Sequence, residues 1–135
     1  MSGLLLLCHA PMATALKSVA QHTYPECTLD LMALDVLPQQ DVHEVAAAAA
    51  ALMASVPQDE WLVLCDVFGA TPCNAALQLA TQTHPRVRVL SGVNVPMLWR
   101  TLCYRGLSLD ELWTRASEGG HRGIDAAQAA SPSLP

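Results

Sequence analysis

Apolar positions along the chain fall into two alternating kinds. Residues 3–8 form one unbroken apolar run of strand length, and residues 61–65, ahead of Asp66, form another. Such runs belong to strands covered on both faces, as in a parallel sheet flanked by helices. Residues 86–90 predict a shorter strand. Residues 28–34 alternate less cleanly and predict a strand that closes in a turn at Asp35 and Pro38. Between these runs the spacing becomes helical. Met12, Ala15, Leu16, Val19 and Ala20 recur at helical intervals behind Pro11, which predicts a helix to about Gln21. Residues 41–53 are Ala-rich, with Asp41 as cap and Glu44 completing a capping box. Thr71 as cap and Pro72 in the first turn open a helix to about Gln82. Residues 95–104 and 108–118 predict two more helices, the second capped by Ser108 with Glu111 three positions on.

Alternating strands and helices of these lengths predict an α/β fold. The expected architecture is a doubly wound, mostly parallel sheet with helices on both faces and right-handed crossovers. Residues 119–124 are expected to add a short antiparallel last strand. Residues 1–125 are read as a single domain, and the Ala-, Ser- and Pro-containing residues 126–135 as a flexible tail.

Composition narrows the function classes. Hydrophobic residues make up 52% of the 135, enough for a core, and charged residues only 14%, so part of the surface is expected to be covered by a partner or a second copy. Net charge is −5, and Lys17 is the only lysine. That supplies no basic stripe for a nucleic acid. The longest apolar runs are too short to span a membrane, and residues 4–7 are too short for a signal-peptide core. The expected location is cytoplasmic. Cys8, Cys27, Cys65, Cys73 and Cys103 are an odd set with no Cys-x-x-Cys pair. Reduced thiols are expected, and no metal site and no cofactor.

In doubly wound sheets ligands bind beyond the carboxyl ends of the strands, where the strand order reverses. The first strand ends in Cys8, His9, Ala10 and Pro11, and the third in Asp66 through Pro72. If these strands are neighbours, His9 meets Asp66. A carboxylate on Nδ1–H orients the ring, presents Nε2 as a nucleophile and stabilises positive charge on it. Helix starts nearby offer free N–H groups suited to a phosphoryl group, and Thr71 adds a hydroxyl. There is no Gly-rich loop with Lys for a nucleotide, so the phosphoryl group is expected from another protein or a small donor. Taken singly, these residues have plainer uses. A strand-terminal His is commonly solvated, a strand-terminal Asp commonly turns the chain, and Thr71 serves as an ordinary cap. Cys8, Cys65 and Cys73 flank the region and are read as small buried apolar residues rather than as a thiol nucleophile or metal site. Met97, Leu98 and Trp99 are read as core or subunit contact, and Gly69 and Gly92 as positions of positive φ.

The segment Asp66-Val-Phe-Gly-Ala-Thr-Pro-Cys-Asn-Ala-Ala76 resembles the D-x-[FW]-G-[GA]-[ST]-P-x-N-x-A signature of the mannose-type enzyme IIA domains of the phosphoenolpyruvate-dependent sugar phosphotransferase system. Ser91-Gly-Val-Asn-Val-Pro-Met-Leu98 resembles the second signature of that family, and the likeness extends over residues 3–125. It implies a phosphocarrier that accepts a phosphoryl group from the histidine-containing phosphocarrier protein and passes it to a IIB component. The implied roles are phosphorylation on His9, orientation by Asp66, and phosphoryl contact by Thr71. Ala10, Phe68, Gly69, Ala70 and Asn94 are implied to line the phosphoryl or partner-binding surface. The resemblance also implies a homodimer with an exchanged last strand, for which residues 119–124 are the candidate. The chain departs from the family at Cys8 and Ala10, where a Gly, Thr or Ser and a Gly are usual. Two other uses stay open: a regulatory module signalling through phosphorylated His9, and a phosphohistidine domain serving a dihydroxyacetone kinase.

Overall fold

The structure, a computed structural model, describes residues 1–129. Four strands, β1 (Gly3–His9), β2 (Met32–Val36), β3 (Glu60–Cys65) and β4 (Arg86–Leu90), form one sheet in the order β2-β1-β3-β4. Every pairing is parallel. Five helices join and follow them: α1 (Met12–Thr23), α2 (Val42–Ala54), α3 (Thr71–Ala80), α4 (Val95–Cys103) and α5 (Leu109–Arg122). The doubly wound α/β expectation holds.

Burial on both faces explains the unbroken apolar runs. Leu4, Leu6 and Cys8 of β1, with Leu62 and Leu64 of β3, pack into the core under α1, α4 and α5. The alternate residues Leu5, Leu7, Trp61, Val63 and Cys65 pack into the opposite core under α2 and α3. Gly3 has its place because a Cβ there would sit 2.6 Å from the Trp61 ring.

The structure corrects the sequence reading at several places. Residues 119–124 do not form a strand: α5 runs through Arg122, and no strand follows among the described residues. The Gly119-Gly120 pair, placed in that expected strand, instead lets two helices touch. A Cβ on Gly119 would meet Arg100, one on Gly120 would meet Met97, and one on Gly123 would meet Pro96. β2 begins at Met32, because residues 25–28 form a 3₁₀ turn in which the Thr28 hydroxyl donates to the Tyr24 carbonyl at 3.0 Å. Asp35 therefore lies inside β2, and the turn comes after Leu37. The N-cap of α3 is Ala70, with Thr71 as the first helical residue. On α1 the buried stripe is Ala13, Leu16 and Ala20, while Ala15 and Val19 face outward. The capping box of Asp41 and Glu44 is present, and Ser108 caps α5. Of the tail expected over residues 126–135, residues 126–129 have no helix or strand, and the rest lie outside the described residues.

Because all strands are parallel, their carboxyl ends share one edge. The chain steps from β1 to β2 on one side and then crosses to β3 on the other. The strand order reverses between β1 and β3, so the ends of these two strands frame the crevice.

Candidate functional site

His9 is the last residue of β1 and Asp66 the first after β3. The switch point brings them into contact. His9 Nδ1 lies 2.7 Å from Asp66 Oδ2, and the His9 backbone N–H donates to the same oxygen at 3.0 Å. The other oxygen, Oδ1, accepts the Val67 N–H at 3.0 Å. The carboxylate thus collects three donors, two of them from the residue it orients. Its side chain is only 11% exposed, whereas that of His9 is 49% exposed. Burial pushes the Asp66 carboxyl pKa up, but the His9 backbone and ring hydrogen bonds and the charge of the ring outweigh it and hold the carboxyl below its ordinary value. An ionised carboxylate only accepts, so the proton of a neutral His9 ring sits on Nδ1. Nε2 then carries the free lone pair, and it has no hydrogen-bond partner among the described residues.

The second signature is fastened to the first through the backbone. Gly92 N–H donates to the Asp66 carbonyl at 3.1 Å, and Val93 N–H to the Cys65 carbonyl at 3.0 Å. Gly69 and Gly92 both adopt positive φ, 86° and 81°, with open space where a Cβ would point. Conformation rather than room requires glycine at these two turns.

The remaining candidates sit on the same edge. Ala10 lies in the turn after β1, its N–H donating to the Val36 carbonyl at 2.9 Å. Phe68 and Gly69 lie in the loop from β3 to α3, and the Ala70 carbonyl accepts the Asn74 N–H at the start of α3. Thr71, in the first turn of that helix, makes no capping bond with its side chain.

Asn94 is engaged on both sides. Its Oδ1 accepts the Met97 N–H at 2.9 Å as the cap of α4, and its Nδ2 donates to the Gly120 carbonyl of α5 at 3.0 Å. An Asn two residues ahead of Pro96 was a visible cap signal. The bond to Gly120 had none, because it joins residues 26 apart. Asn94→Ala is expected to cost about 0.5–2 kcal/mol, the range for a lost N-cap. Asn94→Asp, which keeps the cap but loses the donor, should fall between the two in denaturant midpoint.

The thiols near the site are buried. Burial pushes the Cys8 pKa up to about 12, with the charges of Asp66 and Asp35 adding to it, and burial raises that of Cys65 further. A thiol nucleophile needs the opposite shift. Cys8, Cys65 and Cys73 are packing residues. Among the described residues, no helix is long and apolar enough to cross a membrane.

Comparison with known proteins points in one direction. Residues 3–116 match the family described as PTS system fructose IIA component. The sorbose-specific EIIA component of the PTS of Klebsiella pneumoniae is 28% identical over 89 residues, covering 66% of this chain and 64% of that protein. The mannose-specific EIIAB component of Escherichia coli (strain K12) is 32% identical over 99 residues, covering 71% of this chain and 30% of that protein. The matches therefore span less than two thirds of the length of these relatives. Among solved structures, the mannose/sorbose-specific IIA subunit of the phosphotransferase system from Enterococcus faecalis superposes with a TM-score of 0.84 at 26% identity, over 99% of this chain and 98% of that one. Phosphotransferase system component EIIA from Streptococcus agalactiae gives 0.84 at 23% identity, over 93% and 96%.

Proposed function

The chain belongs to the mannose/fructose family of phosphotransferase-system EIIA components, and on that premise we propose that it carries phosphoryl groups on Nε2 of His9. The observation that carries the reading is the Asp66 carboxylate 2.7 Å from Nδ1 of a half-exposed His9, whose Nε2 has no hydrogen-bond partner among the described residues. The proposed donor is the histidine-containing phosphocarrier protein and the proposed acceptor a IIB component.

The Nε2 lone pair attacks phosphorus in line with the donor's P–N bond. As the new P–Nε2 bond forms, the old bond breaks and its electron pair returns to the donor imidazole. Charge in the loose transition state lies on the three equatorial oxygens. Backbone N–H groups at the starts of α1 and α3 and the Thr71 hydroxyl stabilise that charge. The His9 ring turns cationic as the bond forms, and the adjacent Asp66 carboxylate balances it without accepting the proton. Transfer to the acceptor reverses these steps.

Both partners bring their reacting side chain with them, so a deep cleft is not needed. The rim fits a protein partner. Leu37, Val67 and Phe68, on the loops after β2 and β3, are 45%, 48% and 75% exposed. Exposed aromatic and aliphatic side chains around a polar centre are typical anchors of a docking face. Ala10, Gly69 and Ala70 complete this face at backbone level, and Asn94 supports it as the cap of α4.

The test is phosphorylation with phosphoenolpyruvate, enzyme I and the phosphocarrier protein, read by intact mass. One acid-labile, base-stable phosphoryl group per chain is the expected product. An unmodified chain beside a phosphorylated, competent donor would overturn the reading.

A further inference from the structure

Asp35 takes no part in the reaction as drawn above. It lies in β2, in register with Cys8, one residue before the reacting histidine. Its side chain reaches the start of α1. Oδ1 accepts the Thr14 backbone N–H at 3.1 Å, and Oδ2 accepts the Thr14 hydroxyl at 2.6 Å. The sequence gives α1 no cap of its own. The N-cap position is Pro11, which makes no side-chain cap bond. The N–H at the third helical position is ordinarily met by the residue three places back. Here the acceptor comes from another strand, 21 residues away in the chain.

The stretch from residue 9 to residue 14 is therefore fastened on both sides of β1. On the β3 side, Asp66 holds the His9 N–H and ring. On the β2 side, the Val36 carbonyl holds the Ala10 N–H at 2.9 Å, and Asp35 holds Thr14 twice. The bond from Ala15 N–H to the Pro11 carbonyl closes the first turn internally but does not orient it against the sheet.

We propose that Asp35 is a positioning residue for phosphoryl transfer at His9: through Thr14 it holds the first turn of α1, and with it the corner at residues 9–11, in the orientation that in-line attack requires. The inference rests on the phosphocarrier reading. Asp66 alone fixes the ring at Nδ1. The first-turn amides that meet the phosphoryl oxygens move with α1, and Asp35 ties α1 to the sheet. Loss of that tie leaves the pair of His9 and Asp66 intact while the turn shifts, and a misplacement of about 1 Å lowers transfer by up to roughly a hundredfold. The exposed side-chain anchors of the docking face, Leu37, Val67 and Phe68, lie on the loops after β2 and β3 rather than on α1, so the loss falls on the transfer step and not on donor binding.

Single-turnover phosphorylation by the phosphorylated carrier protein, over a range of donor concentrations, separates the two. Asp35→Ala is expected to lower the saturating rate about tenfold or more with donor KM unchanged. Asp35→Asn, which keeps an acceptor for Thr14, should recover most of the rate. Thr14→Val removes the hydroxyl, which bonds Asp35 Oδ2 and the Pro11 carbonyl, but keeps the N–H bond to Asp35, and should give a smaller loss of the same kind, which covers the case of an Asp35→Ala chain that does not fold. Folded variants that transfer at the wild-type rate, or whose loss lies wholly in KM, overturn the inference while leaving the phosphocarrier reading standing. A wild-type chain that accepts no phosphoryl group overturns both.

Discussion

Alanine at position 9 is expected to leave a folded protein that takes no phosphoryl group from the carrier protein. The His9 side chain is half exposed and lies outside both cores. Its removal takes one donor from Asp66 Oδ2, which keeps the backbone N–H of residue 9, while Oδ1 keeps Val67. Loss of a half-exposed side chain with one hydrogen bond costs about 0.5–1.5 kcal/mol, which the fold can absorb. The chemistry, by contrast, has no substitute. Cys8 and Cys65 are buried thiols whose raised pKa values leave them protonated at neutral pH. His22, His43, His84 and His121 are exposed elsewhere on the chain, and none of them hydrogen-bonds a carboxylate. Intact mass after incubation with phosphoenolpyruvate, enzyme I and the carrier protein should show full occupancy in the wild type and none in His9→Ala. An acid-labile group that persists in the variant would move the phosphorylation site to another histidine.

Asp66→Asn is expected to keep the fold and to slow transfer by up to roughly ten-thousandfold, by analogy with triad carboxylates replaced by amides. Asn fits the same volume, but its single oxygen can replace only Oδ1 on the Val67 N–H, while its NH2 takes the place of Oδ2 and leaves the His9 backbone N–H without that acceptor. Its amide can also donate to Nδ1, which places the ring proton on Nε2 and removes the nucleophilic lone pair. The cationic ring of the phosphorylated state loses its counter-charge as well. The same carboxylate leaves a signature in acid. Burial raises its pKa and the bonds from His9 lower it by more, so the folded value lies below the unfolded one. A carboxyl depressed in this way contributes stability that is fully present above about pH 4, its unfolded value. That contribution disappears as pH falls through the folded value. The unfolding free energy of the wild type should therefore converge on that of Asp66→Asn below about pH 4. A constant gap between the two down to pH 2 would mean that the carboxyl is not held ionised by His9.

The chain shows clearly which of its features can be read locally. The runs at residues 4–7 and 61–65 identify β1 and β3, because a strand buried on both faces must be apolar at every position. Asp41 with Glu44, and Ser108 with Glu111, mark helix starts, because an N-cap bond closes within four residues. Gly69 and Gly92 are legible for the same reason, since positive φ is a property of a single residue. Local reasoning failed where a distant partner decided the outcome. Gly119 and Gly120 read as part of a last strand, yet they lie in the last turn of α5, where Arg100 and Met97 of α4 pack against them. Thr71 reads as a cap, yet the helix begins one residue earlier in its geometry, with Ala70 in the cap position.

The sequence by itself determined β1, β3, β4 and the five helices, the parallel sheet, the two signatures and the pairing of His9 with Asp66 as a chemical possibility. All of these follow from side-chain type and short-range spacing, and burial enforces them wherever the chain lies in space. Tertiary structure decided the rest. The strand order β2-β1-β3-β4 turned two residues 57 apart into a 2.7 Å pair. It set Asp35 against Thr14, and Asn94 against the Gly120 carbonyl. Hydrogen bonds of this kind depend on which strands and helices become neighbours, and that choice is made by the packing of both cores as a whole rather than by any segment within them.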